Sequence, residues 1–386
     1  MNFKVNIGDF QKLLQKVLPV VPPKATIPVL EHLRFTLEGN NLEIVATDQD
    51  ITILCNKEVV GLADGSVLVP ARKISDVVKA LSPAYDLEFI LNPEGNVIDL
   101  KTTNGKYEMM GLASDEYLSL PELFASKKPN YDEGVTADQC KFSGEELQHL
   151  CNSTIFAVSN DEFRPMMSGV FFQFRGDSVN AVATDSYRLV KSNIKHDSTE
   201  FPNDLDVIIP SRTINLIRKF SEDIWLSFVK SDEKITHVRF DIGEVVFISR
   251  IIDEKFPSYE SVIPKEFVAE AIVSKTDIAG ALKRISALTN PTTKQVRFKF
   301  DSNALTVTGT DDDLGTNGRE TVPAEFSGED LEIGFNYDYV NDAISNIEPV
   351  EDGNIFISFS GQNKPFLVMP SKESETSINL IMPVRI

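Results

Sequence analysis

The sequence predicts an α+β fold in which one unit, two helices and mainly antiparallel sheet, is repeated three times along the chain. Two sets of landmarks point to it. The dipeptide Thr-Asp closes an apolar strand at Thr47-Asp48, Thr184-Asp185 and Thr310-Asp311. The runs Val67-Leu68-Val69-Pro70, Val207-Ile208-Ile209-Pro210 and Leu331-Glu332-Ile333-Gly334 each precede a stretch of helical periodicity. Both landmarks recur in the same order at intervals of about 130 residues, the signature of an internal repeat. A chain of 386 residues and 43.0 kDa has room for three such domains.

The elements follow in the same order in each copy. Phe3-Lys4-Val5 reads as a strand, and Phe10, Leu13, Leu14 and Val17 then mark one face of a helix. Strands over 33–37 and 42–47 flank the turn at Gly39-Asn40, and Ile74, Val77, Val78 and Leu81 mark a second helix. In the second copy Leu147, Leu150, Cys151 and Ile155 form the first helical stripe, and Ile214, Ile217 and Phe220 the second. In the third copy these roles fall to Ile278, Leu282, Ile285 and Leu288, then to Val340, Ala343, Ile344 and Ile347. The predicted helices span 9–18, 71–81, 143–155, 211–220, 276–288 and 336–347, with Ser143 and Glu146 spaced as a capping box. Domain boundaries are expected at 1–133, 134–264 and 265–386, the first just after the polar run 126–130.

Composition narrows the function classes. With 42% hydrophobic and 25% charged residues, 20 Gly and 20 Pro, the chain is neither collagenous, nor disordered, nor a disulfide scaffold. The first residues lack a basic start with an apolar run, and no 18 consecutive apolar residues occur, so neither export nor a membrane span is expected. Three cysteines, Cys55, Cys140 and Cys151, are odd in number and form no CxxC pair, which suits a reducing cytoplasm and leaves the sequon at Asn152 idle. The net charge of −20 argues against a surface that grips nucleic acid everywhere. The six helical windows nevertheless carry ten Lys/Arg against seven Asp/Glu. Arg72 and Lys79 are seven apart, as are Arg212 and Lys219, so each pair is expected on one exposed helical face toward a polyanion.

No active site stands out. Four scattered histidines (His32, His149, His196, His237) lack zinc-ligand spacing, and no phosphate loop, GxSxG or SxxK motif occurs. Asp48 with Asp50, and the run Asp311, Asp312 and Asp313, are the only candidate metal carboxylates, and strand-end turns explain them equally well.

The threefold repeat, the segment 183–189 (Ala-Thr-Asp-Ser-Tyr-Arg-Leu), the segment 256–264 (Phe-Pro-Ser-Tyr-Glu-Ser-Val-Ile-Pro) and the ending 382–386 (Met-Pro-Val-Arg-Ile) together resemble the bacterial DNA polymerase III beta subunit family, the sliding clamps. The resemblance covers the whole chain. It implies three repeated DNA-clamp domains that form a six-domain ring as a head-to-tail homodimer, helices lining the hole. It implies a non-enzymatic processivity factor without cofactor or metal. Its partners would be encircled duplex DNA, the DNA polymerase III alpha subunit, the clamp loader and other proteins with clamp-binding peptides, all in the cytoplasm. Lys24 and Arg164 match DNA-touching positions, with Pro165 and Met166 standing where aromatic residues are common. Arg72, Lys79, Arg212 and Lys219 join them on charge alone. The implied partner-peptide cleft comprises Met167, Thr184, Ser186, Tyr187, Arg188, Leu189, Pro257, Val262, Asn336, Tyr339, Met382, Pro383, Val384, Arg385 and Ile386, with Ser186, Tyr187 and Ser261 departing from the common pattern. The implied dimer seam sets Lys73, Lys106, Tyr107 and Met109 against Ala287, Leu288, Asp311, Asp312 and Asp313, the aspartates facing lysines.

Two other readings remain open from the residues alone. One is a monomeric peptide-binding scaffold without a ring, which solution mass would reveal. The other is a metal-dependent nuclease or transferase using Asp48/Asp50 or Asp311/Asp313, which divalent-metal titration would reveal.

Overall fold

Three times the chain runs strand, helix, strands, helix, strands. The computed structural model describes residues 1–92, 94–118, 132, 134–232, 234–301, 303–348, 352–374 and 376–385. The polar run 126–130, the boundary residue Glu133 and Ile386 lie outside these described residues.

The first repeat consists of β1 (Asn2–Asn6), α1 (Ile7–Val17), β2 (His32–Glu38), β3 (Asn41–Thr47), β4 (Ile51–Glu58), β5 (Val60–Ala63), β6 (Gly65–Pro70), α2 (Ala71–Ala80), β7 (Asp86–Asn92), β8 (Val97–Lys101) and β9 (Lys106–Met110). The second contains β10 (Gln139–Phe142), α3 (Gly144–Thr154), β11 (Gly169–Phe174), β12 (Ser178–Thr184), β13 (Arg188–Lys195), β14 (Leu205–Pro210), α4 (Ser211–Ile217), β15 (Ile224–Ser231), β16 (Lys234–Ile242) and β17 (Val245–Arg250). The third contains β18 (Ala269–Ser274), α5 (Lys275–Ser286), β19 (Gln295–Asp301), β20 (Ala304–Asp311), β21 (Thr316–Ser327), β22 (Leu331–Asn336), α6 (Tyr337–Asn346), β23 (Asn354–Phe359), β24 (Phe366–Met369) and β25 (Ser377–Ile381).

Local chemistry starts and stops the helices. Asn6 caps α1, its side chain accepting from Gly8 N at 3.0 Å and Asp9 N at 3.3 Å, and the helix buries Ile7, Phe10, Leu13, Leu14 and Val17. Ser274 and Asn336 cap α5 and α6 in the same way. Lys275 reaches the far end of α6 and donates to the carbonyls of Ser345 and Ile347, two groups a helix end leaves unpaired. One helix is shorter than expected. Helix α4 ends at Ile217, where Arg218 N bonds back to Ile214 O. Lys219 therefore lies past the helix, and the expected shared helical face of Arg212 and Lys219 is not formed.

Among the described residues every strand pairing is antiparallel, as the hairpin spacing predicts. The strands form a five-stranded sheet (β5-β1-β7-β8-β9), an eight-stranded sheet (β10-β15-β16-β17-β4-β3-β2-β6) and a twelve-stranded sheet (β14-β11-β12-β13-β25-β24-β23-β18-β21-β20-β19-β22). Two compact units result, residues 1–144 with 220–251 and residues 145–219 with 252–386. The second repeat gives strands to both: β10 and β15 to β17 to the first unit, β11 to β14 to the second. Within the first unit Phe3 and Phe35 stack on Phe89 at 4.9 and 5.6 Å, with Phe10 edge-on to both Phe3 and Phe35. Within the second, Phe298, Phe300, Phe335, Phe359 and Phe366 fill the third repeat's core. Each such ring contributes roughly 1.5–3 kcal/mol by leaving water.

His196 ties the segment after β13 to α3. Its ring nitrogens lie 2.7 Å from Glu146 Oε1 and 2.8 Å from Glu200 Oε2. Burial opposes charge on this imidazole, but the two carboxylates outweigh it and raise its pKa above the ordinary 6.5. A raised histidine pKa gives stability that is full below about pH 6.5 and is lost as pH rises through the folded value. The protection of the 196–201 amides, taken as exchange relative to the intrinsic rate at each pH, is therefore expected to fall as pH rises above about 6.5, and His196→Gln to abolish that fall.

Candidate functional site

The three Thr-Asp pairs make turns that use their own side chains. In the second repeat Asp185 Oδ1 accepts from Tyr187 N at 2.9 Å and Arg188 N at 3.0 Å, while Thr184 Oγ1 donates to Arg188 O and accepts from Ser186 N. The first repeat repeats this atom for atom. Asp48 Oδ1 accepts from Asp50 N and Ile51 N, and Thr47 Oγ1 donates to Ile51 O and accepts from Gln49 N. Ser186 and Gln49 both sit at positive φ, 78° and 85°, the conformation such a turn imposes on its third residue. In the third repeat Asp311 Oδ1 caps Asp313 N and Leu314 N and also receives Asn290 Nδ2.

These turns reassign the acidic residues. Asp48 and Asp311 hold backbone N–H groups, Asp50 lies 3.8 Å from Arg250, and among the described residues no three His, Cys, Asp or Glu side chains are grouped to hold a metal ion. The expectation that all three aspartates face lysines of a second copy is corrected for Asp311, which is 3% exposed and turned into its own loop; Asp312 and Asp313 are exposed.

Around the second turn the structure gathers most of the predicted cleft. The Arg188 guanidinium donates to Asp185 and Asp342, lies 4.8 Å from the Tyr339 ring and 5.4 Å from that of Phe156. Tyr187 stacks on Tyr339 at 6.0 Å while remaining 58% exposed. Burial raises the Tyr339 phenol above its ordinary value, so it stays neutral. Strand β25 pairs with β13, Leu380 opposite Leu189, and delivers the tail: Met382 N donates to Tyr187 O, Val384 N to Gly334 O, and Arg385 O accepts from Gln295. Beside that tail, Glu332, Gln362, Asn363, Pro383, Val384 and Arg385 line a cavity of about 680 Å³. The floor is an apolar cluster that includes Val182, Leu189, Ile208, Phe256, Tyr259 and Leu380, with Phe256 stacked on Phe171.

The predicted members thus divide. Tyr187, Val262, Met382 and Val384 present apolar surface to solvent. Met167, Pro257, Tyr339 and Pro383 are half-buried, and Ser186 and Arg385 exposed. Leu189 and Thr184 are buried, so they form the floor and the turn and not the lining. Asn336 gives its side-chain oxygen to Asp338 N as the α6 cap.

The predicted basic residues divide as well. Lys24, Arg72, Lys79, Arg212 and Lys219 are exposed, whereas Arg164 is half-buried and hydrogen-bonded to Asp161 and Ser186. At the predicted seam, β9 is the last strand of its sheet, with Lys106 bonded to Asp99 and Tyr107 38% exposed. Lys73, Ala287 and Met109 are exposed or half-buried, and Leu288 O accepts from Thr316 Oγ1. Sequence reasoning missed Met110 and Leu314, which are 63% and 75% exposed beside these residues. Met110 extends an alternating strand and Leu314 follows three aspartates, so only the absence of a helical or core period at Leu314 could have flagged it.

Known proteins decide the family. The N-terminal, central and C-terminal domains of the DNA polymerase III beta subunit match residues 1–121, 141–258 and 260–385. The chain belongs to the DNA polymerase III beta subunit family. It is similar to the beta sliding clamp of Bacillus subtilis, 28% identical over 396 residues and spanning all of both chains, and to that of Vibrio cholerae, 25% identical over 391 residues and likewise complete. The solved sliding clamp of Bacillus subtilis superposes with a TM-score of 0.89 at 26% identity, covering 100% of this chain and 99% of the other. The Pseudomonas aeruginosa clamp solved with griselimycin shares the fold, with a TM-score of 0.88 at 23% identity and full coverage of both. A sliding clamp is a non-catalytic replication subunit that gives DNA polymerase its processivity, and its family binds DNA and polymerase partners. No helix among the described residues is long and apolar enough to cross a membrane.

The clamp's cleft floor contains one polar contact with a measurable role. Tyr259 Oη donates to Gln173 Oε1 at 2.5 Å, both residues buried, and burial raises the phenol pKa far above its ordinary value. Tyr259→Phe leaves that oxygen without its donor and is expected to lower stability by about 1–3 kcal/mol in denaturant unfolding.

Proposed function

We propose that two copies of this chain close head to tail into a ring around duplex DNA, and the observation that carries the reading is a strand pairing left unfinished. Inside the chain the last strand of the second and third repeats pairs with a strand of the repeat before it: β17 with β4, Ile248 opposite Thr52, and β25 with β13, Leu380 opposite Leu189. The equivalent pair left over is β9 and β21. They are not paired with each other, and among the described residues the stretch 316–323 of β21 pairs only with β20. Such edges invite a second chain.

The repeat also sets the register. Thr47 lies opposite Thr52, Thr184 opposite Leu189 and Thr310 opposite Asn317, which makes Asn317 the counterpart of Thr52 and Leu189. Counting across β1-β7-β8-β9, β10-β15-β16-β17 and β18-β23-β24-β25 makes Glu108 the counterpart of Ile248 and Leu380. Glu108 then faces Asn317 across the seam, and Tyr107 faces Gly318. The faces agree: Tyr107 is opposite buried Leu100, and Gly318 lies against Leu288 and Ile285 of α5. Met110 and Leu314 fall together at the same end. Three repeats from each copy complete six, a heterologous contact that closes when the rotation per repeat is right.

In this ring Arg72, Lys79, Arg212 and Lys219 face the DNA together with Lys24, and weak phosphate contacts suit a protein that slides. The domains divide at 133/134 and 264/265, and the protein works in the cytoplasm, where its three buried free thiols stay reduced. Partners such as the polymerase alpha subunit and the clamp loader insert a short peptide between Tyr187, Tyr339, Val262, Met382 and Val384. Apolar anchors there would sit among Arg and Tyr edges that orient the peptide backbone.

Glu108→Cys combined with Asn317→Cys is expected to oxidise to a covalent dimer on a denaturing gel, because directly opposite strand residues lie within disulfide reach. No cross-link, with a solution mass of 43.0 kDa, would instead leave a monomeric scaffold. Loaded on a nicked circle by a bacterial clamp loader and ATP, the protein is expected to stay through gel filtration and to leave once the circle is cut. Retention after cutting would show binding by contact and overturn the ring. Deleting 382–386 is expected to abolish partner binding and leave the dimer intact.

A further inference from the structure

We propose that Arg164 is a positioning residue of the partner cleft and not a phosphate contact, recruited there by the hydroxyl of Ser186. The inference rests on the cleft reading above and names a determinant inside it.

Ser186 occupies a position where a residue without a Cβ would be relaxed. Its φ of 78° lies in the left-handed region, which the turn's side-chain hydrogen bonds to Asp185 and Thr184 impose. Gln49, at the matching position of the first repeat, is equally strained, yet no hydrogen bond of its side chain to a residue like Arg164 is seen among the described residues. Ser186 does have such a bond: its Oγ accepts from Arg164 Nη1 at 2.7 Å and donates toward Met167 Sδ at 3.5 Å. A side chain kept in a strained backbone position is a reason to ask what that side chain holds.

It ties two loops together. Arg164 lies on the loop that carries Met167, and that loop is closed by Arg164 N to Asp161 O, Met167 N to Arg164 O and Ser159 N to Met167 O. Ser186 lies on the turn that carries Tyr187 and Arg188. The guanidinium is the bridge: Nε donates to Asp161 Oδ2 at 2.8 Å while Nη1 reaches across to Ser186. On the opposite side Arg188 braces the same turn against Asp342 and Tyr339. The turn is thus clamped between two arginines, each neutralised by a carboxylate.

The same bonds argue against a phosphate role. The hydrogen bond from Arg164 holds the Asp161 carboxyl below its ordinary range, so this arginine already has an anion, and a second exposed carboxylate, Glu162, stands two residues away. Two of the five N–H donors of Arg164 are committed, Nε to the Asp161 carboxylate and Nη1 to Ser186, so a phosphate would meet an arginine whose charge is already paired. Lys24, by contrast, is exposed and has no ion-pair partner among the described residues.

The test uses the intact dimer and three substitutions, Arg164→Ala, Ser186→Gly and the double change, with griselimycin, bound by the similar Pseudomonas aeruginosa clamp, as the ligand probe in calorimetry and a short linear duplex at low salt as the DNA probe. Each single change is expected to weaken griselimycin about fivefold, and the double change no more than either alone, because all three remove one shared bond. Ser186→Gly relieves the backbone and is expected to melt no lower than the wild type, so its effect on binding is not a loss of folding. DNA affinity should be unchanged in all three and should fall in Lys24→Ala. Unchanged griselimycin binding in Arg164→Ala overturns the proposal, as does an effect of the double change equal to the two singles combined. Should the wild type itself not bind griselimycin, ligand-free hydrogen exchange at the 184–188 amides decides the strut. Faster exchange in Arg164→Ala sustains it, and unchanged exchange removes it.

Discussion

The structure depends on backbone hydrogen bonding between repeats. An α+β unit with open sheets leaves rows of N–H and C=O groups at its edges, and those groups need partners. Here the partner is the next repeat: β17 continues the sheet of β4, and β25 continues that of β13. The second repeat supplies strands to both compact units. Among the described residues, β9 and the 316–323 half of β21 each keep one edge without a second strand, and it is on these edges that the proposed second chain would pair.

Turn chemistry then places function on this frame. Each Thr-Asp pair satisfies the backbone of a strand-end turn, so one local device occurs three times, yet only the second copy carries Tyr187 and Arg188 beyond it. Where the first repeat places Asp50 and Ile51, the second places an aromatic ring over Tyr339 and a guanidinium between two carboxylates. Identical backbone and different side chains separate a structural turn from a binding rim. The proposed cleft lies where β13 and β25 meet, since that junction brings residues 382–385 beside the turn.

Much of this was legible. Helical stripes such as Phe10, Leu13, Leu14 and Val17 became buried faces, and the exposed positions of Arg72 and Lys79 on α2 follow from the same period. The segments 183–189 and 382–386 were legible as cleft through their resemblance to the clamp family, and they do come together. Other features were not. Helix α4 stops early because Arg218 turns back onto Ile214, which no apolar period records. Asp311 looks like its neighbours in a charged run, yet its carboxylate is drawn inward by Asn290 and two amides.

By itself the sequence determined the threefold unit, the helix faces, the strand-end turns and the family, because each is written in spacings of a few residues or in short runs of fixed order. The tertiary structure alone decided which strands continue one another, in what register, and which charges are already neutralised. Arg164 shows the reason. Its partner Ser186 is 22 residues away on a different loop, and a hydrogen bond between them exists only after two strands have been laid side by side. Periodicity reports which side of an element is apolar, whereas the direction in which a guanidinium points depends on what folding brings within 3 Å of it.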